Sequence, residues 1–198
     1  MIILGIDEAG RGPLSGPVVV AGVILNPDKP IDGLGDSKKL SEKKRELLYA
    51  LIVSQALAYS IVEVSPEEID IMNILQATLY GMNNVADNLN GRFDKVLVDG
   101  NKLPDWSYNS EAIVKGDSKI KEISAASILA KVHRDRICLE NDGQYPQYGF
   151  AKHKGYPTKE HLGSIKKYGV LDIHRKSYKP VRELLDKVQP IKHDCNHY

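Results

Sequence analysis

The sequence predicts an α/β fold: a five-stranded mixed sheet flanked by helices, with a small helical extension at the carboxy terminus. Three observations predict it. The chain opens on an unbroken apolar run, Ile2 to Gly5 with Ile6 close behind, and a β-branched run, Val18 to Leu25, follows across a turn rich in glycine and proline. From Ser65 onward, segments with apolar residues at helical spacing alternate with short apolar runs at Phe93–Val98 and Ala112–Val114, the pattern of a sheet with helices on its faces. Three strand ends carry acids beside glycine: Asp7-Glu8 before Gly10, Asp99-Gly100 and Gly116-Asp117.

The elements follow in chain order. The first two strands are expected to pair antiparallel, because the turn between them is short. Ser41 caps a helix over Glu42–Ser54, with Leu47, Leu48, Leu51 and Ile52 at helical spacing. Leu57–Val64 alternates well enough to complete a three-strand meander. Ser65-Pro66-Glu67-Glu68 starts a helix: a serine cap, proline at the first position, and a glutamate three residues after the cap. One long helix is predicted from there to Leu89, where Asn90-Gly91 stops it. The fourth strand ends at Asp99, Asn101–Ser110 is loop, and the fifth strand runs into Gly116-Asp117. A helix over Lys121–Leu139 contains Ser124-Ala125-Ala126-Ser127, whose small side chains permit close packing on the sheet. Tyr145–Tyr156 reads as an ordered loop, Thr158 caps a helix over Lys159–Tyr168 that Gly169 ends, and a last helix starts near Pro180.

Composition excludes several classes. With 198 residues, 42% hydrophobic and 27% charged, the chain can bury a core and is not disordered. One domain is expected over residues 1–188, with a loose tail over 189–198, since no repeat, low-complexity tract or composition break intervenes. Two cysteines, Cys138 and Cys195, lack metal-ligand spacing, which argues against a disulfide scaffold or zinc site and suits a reducing compartment. Met1 leads straight into a strand, so a cytoplasmic protein without signal peptide or membrane span is expected. The net charge of +1 conceals an asymmetry, because Lys, Arg and His crowd the segment from Lys115 to Lys179, where a local basic face could hold a polyanion.

The acids carry the chemistry. In a mixed sheet whose fourth and fifth strands run parallel to the first, the ends bearing Asp7, Glu8, Asp99 and Asp117 converge on one edge. Four carboxylates in one cleft repel unless hard cations lie between them, and an all-oxygen donor set favours Mg²⁺ or Mn²⁺ over zinc. Two ions about 3.5–4 Å apart suit hydrolysis of a phosphodiester. The competing reading is that Asp7 or Glu8 merely caps a turn.

These residues also sit in motifs that resemble a known family. Gly5-Ile6-Asp7-Glu8-Ala9-Gly10-Arg11-Gly12-Pro13, Asp36-Ser37-Lys38-Lys39-Leu40, Val98-Asp99-Gly100-Asn101, Lys115-Gly116-Asp117-Ser118, Ile123 to Val132 and His153-Lys154-Gly155-Tyr156-Pro157-Thr158 are similar, in order, to the motifs of bacterial ribonuclease HII. The resemblance implies a ribonuclease H-like fold, cleavage of RNA in RNA–DNA hybrids, and incision 5′ of single ribonucleotides embedded in duplex DNA, leaving 3′-hydroxyl and 5′-phosphate ends. It implies that Asp7, Glu8, Asp99 and Asp117 are the catalytic, metal-binding acids for two Mn²⁺ or Mg²⁺ ions. It assigns the 2′-hydroxyl to the backbone of Gly10-Arg11-Gly12, and stacking on the neighbouring deoxyribose to Tyr156. Residues 141–188 would then be the substrate-binding part of a monomeric catalytic domain; a replication-clamp contact is not readable from the sequence.

Lys38 and Lys39, beside the acids, are expected to hold backbone phosphates. His153, Lys154, His174, Arg175 and Lys176 are placed on the same basic surface, and Arg134-Asp135-Arg136 is read as an ion-paired helix face. Two rivals stand beside the nuclease reading. A nucleic-acid-binding module without chemistry explains the basic residues but not acids at three strand ends, which repel phosphate unless a metal intervenes; nicking that depends on Mn²⁺ separates the two. Ribonuclease HIII shares the acids, but it differs at the ribonucleotide-reading loop and usually carries an additional amino-terminal domain, for which no room is expected here.

Overall fold

The computed structural model describes residues 1–35 and 37–188. The tail expected at 189–198 and Asp36 of the Asp36–Leu40 motif lie outside the described residues. Five strands form one sheet in the order β3-β2-β1-β4-β5, with β1 Ile3–Ala9, β2 Val18–Ile24, β3 Ala58–Val64, β4 Lys95–Asp99 and β5 Ser110–Ile113. The meander β1-β2-β3 is antiparallel, and β4 and β5 add in parallel to β1, so the sheet is mixed as the sequence predicts. Parallel strands direct their carboxy ends to one edge, which brings the ends of β1 and β4 together.

One expectation about β1 needs correcting. The strand does not stop at its carboxylates but runs through them, with Asp7 opposite Ala21, Glu8 opposite Val20 and Ala9 opposite Val19. The reason lies in its unequal neighbours: β2 offers ladder partners as far as Ala9, whereas pairing with β4 ends at Ile6 opposite Val98. Beyond Ile6 the β4 side of the strand is open, and alternation sends Asp7 and Glu8 to opposite faces of the sheet.

Helices cover both faces. On one lie α1 (Glu42–Gln55) and α4 (Lys121–Gln144), packing Leu48, Ile52, Ala125, Ala126 and Leu129 against Val19, Ala21 and Val23. Of the four apolar residues at helical spacing in α1, Leu48 and Ile52 are buried while Leu47 and Leu51 remain exposed. The small residues of α4 let it lie almost in contact with β1, so a Cβ on Gly5 would overlap the backbone of Glu122 and Ile123. That helix extends five residues past the predicted end at Leu139, because Asp142 anchors its last turn by accepting from the Ala151 N–H at 3.0 Å.

The other face carries α2 (Pro66–Met72) and α3 (Ile74–Asn88), where a single long helix was expected. The break is Asn73, at φ 68° and ψ 164°. Its N–H donates to Ile69 O and ends α2, while its Oδ1 accepts from Gln76 N at 3.1 Å and begins α3, so one residue serves both ends. The predicted start of α2 is present in full, with Ser65 and Glu68 forming a reciprocal capping box.

β5 sits two residues earlier than predicted, because its parallel register pairs Ser110 with Val96 and Ile113 with Asp99. After α4 the stretch read as loop folds into a 3-10 turn at Pro146–Tyr148 and a short helix, α5 (Phe150–His153), followed by α6 (Lys159–Tyr168) and α7 (Lys179–Val188). These pack around Leu14, Tyr148, Phe150, Ile165 and Val181. Cys138 is a buried free thiol. Among the described residues no helix is long and apolar enough to cross a membrane.

Candidate active site

A cleft of about 550 Å³ opens where β1 and β4 end, and Asp7, Glu8, Asp99 and Asp117 all line it. Asp7 lies on the α4 face beside Ser127, and its Oδ1 accepts from the Glu8 N–H at 2.7 Å. Glu8 lies on the α3 face and also borders a recess walled by Leu75, Thr78 and Met82. Asp99, at the last position of β4, receives the Gly116 N–H on Oδ1 at 2.6 Å and so ties the strand end to the 3-10 turn Gly116–Ser118 that carries Asp117. Thus the acids wrap around the end of the sheet.

Electrostatically the cluster is under stress. Burial, then the charges of Glu8 and Asp99, hold the Asp7 carboxyl well above the usual carboxylate range. Burial also raises Glu8, against the pull of Arg11, whose guanidinium lies 3.5 Å away. Glu8 Oε2 is buried with no hydrogen-bond partner among the described residues, an orphan acceptor that a native site does not normally retain. A divalent cation fits these donors: they are all oxygens, they carry excess negative charge, and one of them lacks a partner. Among the described residues no group of three or more His, Cys, Asp and Glu side chains is already drawn together at ligating distance. Mutual repulsion explains this, since Asp99 turns to the Gly116 N–H and Glu8 to Arg11.

A family model described as ribonuclease HII matches residues 4–181. The chain belongs to the ribonuclease HII family. A curated ribonuclease HII of Francisella philomiragia is 78% identical over 185 residues, covering 93% of this chain and all of the relative. Among solved structures, ribonuclease H2 of Pyrococcus horikoshii matches with a TM-score of 0.76 at 28% identity, over 94% of this chain and 98% of that one. Ribonuclease HII of Archaeoglobus fulgidus, solved in its complex with PCNA, matches at 0.77 and 27%, over 90% and 96%. The fold is therefore ribonuclease H-like, and the chain is a ribonuclease H endonuclease acting on RNA–DNA hybrids. Membership of ribonuclease HII also implies dependence on divalent metal.

The other residues that the ribonuclease HII motifs single out divide into two groups. Gly10, Arg11, Gly12, Lys38 and Tyr156 line the cleft; Lys39 is exposed and lies outside its lining. Gly10 has φ 94°, and a Cβ there would overlap the Arg134 side chain, so only glycine fits. The Tyr156 ring lies on Gly12, with a hypothetical Gly12 Cβ 3.4 Å from its Cε1, and at 45% exposure it presents a face to solvent.

The basic surface expected at His153, Lys154, His174, Arg175 and Lys176 is corrected for three of the five. His153, His174 and Arg175 are buried. Arg175 donates to Gly10 O at 2.6 Å, Arg11 O at 3.0 Å, Gly16 O at 3.0 Å and Tyr178 Oη at 2.9 Å, and burial pushes its guanidinium down to about 10. In a planar trans peptide the C=O of one residue and the N–H of the next point opposite ways. Drawing the Gly10 and Arg11 carbonyls inward therefore turns the N–H groups of Arg11 and Gly12 outward; among the described residues neither donates a backbone hydrogen bond.

Arg134 is likewise buried rather than part of an ion-paired face, and donates to Lys154 O and Ser15 O. Asp135 and Arg136 do pair, with Lys131 at 2.6 Å and Glu46 at 2.6 Å. Sequence reasoning also missed Ser37, Arg45 and Ser127. Ser37 Oγ meets Ser127 Oγ at 2.7 Å, which fixes the loop bearing Lys38 to α4, and Arg45 donates to Ser37 O and Leu40 O, which fixes it to α1. One signal was available: Ser127, Lys131 and Arg134 stand at i, i+4 and i+7, one helix face, and all three line the cleft.

Proposed function

We propose that this cleft incises a nucleic acid duplex on the 5′ side of a ribonucleotide, single or within an RNA–DNA hybrid, giving 3′-hydroxyl and 5′-phosphate ends. Asp7, Glu8, Asp99 and Asp117 would hold two divalent ions, Mn²⁺ or Mg²⁺. Bound there, such ions supply a water activated at neutral pH and charge neutralisation at the scissile phosphate. Asp7, whose carboxyl feels the charges of both Glu8 and Asp99, is the central ligand in this reading. The observation that carries it is the buried, unpartnered Glu8 Oε2 beside the Asp7 carboxyl, which burial and then the charges of Glu8 and Asp99 hold above the usual carboxylate range.

Recognition in this reading belongs to the chain's own groups. The outward N–H groups of Arg11 and Gly12 donate to the 2′-hydroxyl, which a DNA strand lacks. Tyr156 offers its exposed face to the adjoining deoxyribose, and Lys38 and Lys39 hold phosphates. Residues 141–188 form the substrate-binding part of one catalytic domain, which acts as a monomer in the cytoplasm. The Archaeoglobus fulgidus relative was solved with PCNA, and a sliding-clamp contact is proposed here by that similarity alone.

The test is Asp7→Asn. Cleavage of a hybrid in Mn²⁺ is expected to fall at least about a hundredfold, the scale of losing a charge-stabilising group, with hybrid binding retained. Turnover close to that of the parent protein would remove Asp7 from its central place.

A further inference from the structure

Three buried imidazoles, His153, His161 and His174, stand between the Tyr156 turn and the segment that carries Arg175. The His153 and His161 rings stack at 4.4 Å and 13°, and His161 Nε2 lies 3.1 Å from His174 Nε2. Their hydrogen bonds fix every proton. His161 Nδ1 faces the carbonyl of Tyr156 at 3.0 Å, so it must donate, and Nε2 is left to accept. His174 Nδ1 accepts from Leu171 N at 2.9 Å, so its Nε2–H must be the donor to His161. His153 Nδ1 accepts from Gly155 N at 3.1 Å, and its Nε2–H donates to Tyr148 O at 2.8 Å. Each ring is neutral, gives one hydrogen bond and receives one.

We propose that His161 and His174 are positioning residues that couple the two elements which read the ribonucleotide. The chain of bonds is continuous: Tyr156 C=O, His161, His174, then Arg175, whose N–H donates to Leu14 O at 2.8 Å and whose guanidinium holds the carbonyls of Gly10 and Arg11. The Tyr156 turn and the Gly10–Gly12 loop are separated by more than a hundred residues of sequence, and this chain joins them alongside the direct bond from Leu14 N–H to Gly155 O at 2.8 Å and the Arg134 bonds to Lys154 O and Ser15 O. It rests on the reading of those two elements given above.

The same bonds make the coupling sensitive to acid. A proton on His161 Nε2 would set two N–H groups face to face, and on His174 Nδ1 it would oppose the Leu171 N–H. The groups that face the cluster are Tyr148 from the 3-10 turn, Phe150 from α5, and Glu160 of α6, which approaches His153 near Gly149. Lys154 and Arg175 adjoin it in sequence, and burial pushes both His161 and His174 down to about 4.

The experiment compares cleavage of a duplex holding one ribonucleotide with cleavage of a continuous hybrid, for the parent protein, Tyr156→Ala, His161→Ala and His161→Asn. The asparagine amide can still donate to Tyr156 O. If the coupling holds, His161→Ala lowers the ratio of the two activities about fivefold, the worth of one hydrogen bond, and His161→Asn recovers most of it. An unchanged ratio in His161→Ala, with Tyr156→Ala lowering it, overturns the coupling while leaving the reading of Tyr156 intact. An unchanged ratio in Tyr156→Ala instead strikes that reading, and with it the function of the chain. Histidine ¹⁵N NMR of the intact parent protein is an independent check should the variants misfold. Neutral His161 protonated at Nδ1 and neutral His174 protonated at Nε2 are expected at pH 5.5; either ring titrating near its ordinary value overturns the proposal.

Discussion

Asp7 and Arg175 are opposite solutions to burying a charge. Asp7 is buried among like charges that its hydrogen bond from Glu8 N–H at 2.7 Å does not offset, as a group built to meet a cation would be. Arg175 is a buried cation satisfied by the carbonyls of Gly10, Arg11 and Gly16, an arrangement that lysine cannot copy because its ammonium lacks the planar fork. Arg175→Lys is therefore expected to cost on the order of 2–3 kcal/mol of stability, the scale of leaving buried acceptors unmade. Urea unfolding measures it, and an unchanged midpoint would mean that the loop carbonyls find other donors. Neither Arg175 nor Arg134 was legible as buried. Both stand in runs of basic residues that read as solvated surface, and their partners are backbone carbonyls of residues distant in the sequence, which no local pattern announces.

Helix starts were legible because their chemistry is local. Ser41, Ser65 and Thr158 each accept the N–H three residues on, as their sequences predict. The break at Asn73 was not, since apolar spacing continues through it and nothing marks a left-handed backbone beyond the residue type itself. Asn73→Ala should destabilise the protein by about 1–2 kcal/mol, through loss of the α3 cap and strain at positive φ. Asn73→Gly should lose less, because glycine tolerates the backbone. Equal losses, read as thermal midpoints, would show that φ plays no part. β1 shows the same limit in a strand: its apolar run ends at Ile6, yet β2 carries the ladder on to Ala9.

For the whole molecule, acid should loosen the carboxy-terminal part first. His161 and His174 have folded values near 4 against about 6.5 when unfolded, so the unfolded chain binds protons first. Their contribution is complete above about pH 6.5 and is lost as pH falls toward 4. Asp7 acts the other way, because its raised carboxyl is neutralised earlier in the folded state and relieves repulsion. Urea midpoints of a protein carrying both Asp7→Asn and Glu8→Gln, which removes the two raised carboxyls, should fall steadily between pH 7.5 and 4; a flat profile would contradict the neutral burial of the histidines. At this scale the sequence was most informative, since the meander, the parallel direction of the fourth and fifth strands and the convergence of four acids follow from a mixed sheet whose parallel strands share an edge.

The central claim is that those acids gather metal at a place where the neighbouring loop selects a ribonucleotide. Its most direct test is to map the cut in a duplex containing one ribonucleotide, with Mn²⁺ and with EDTA. One nick immediately 5′ of the ribonucleotide, bearing a 3′-hydroxyl and a 5′-phosphate and absent in EDTA, is the predicted result. A cut elsewhere, or one that persists without metal, would contradict it.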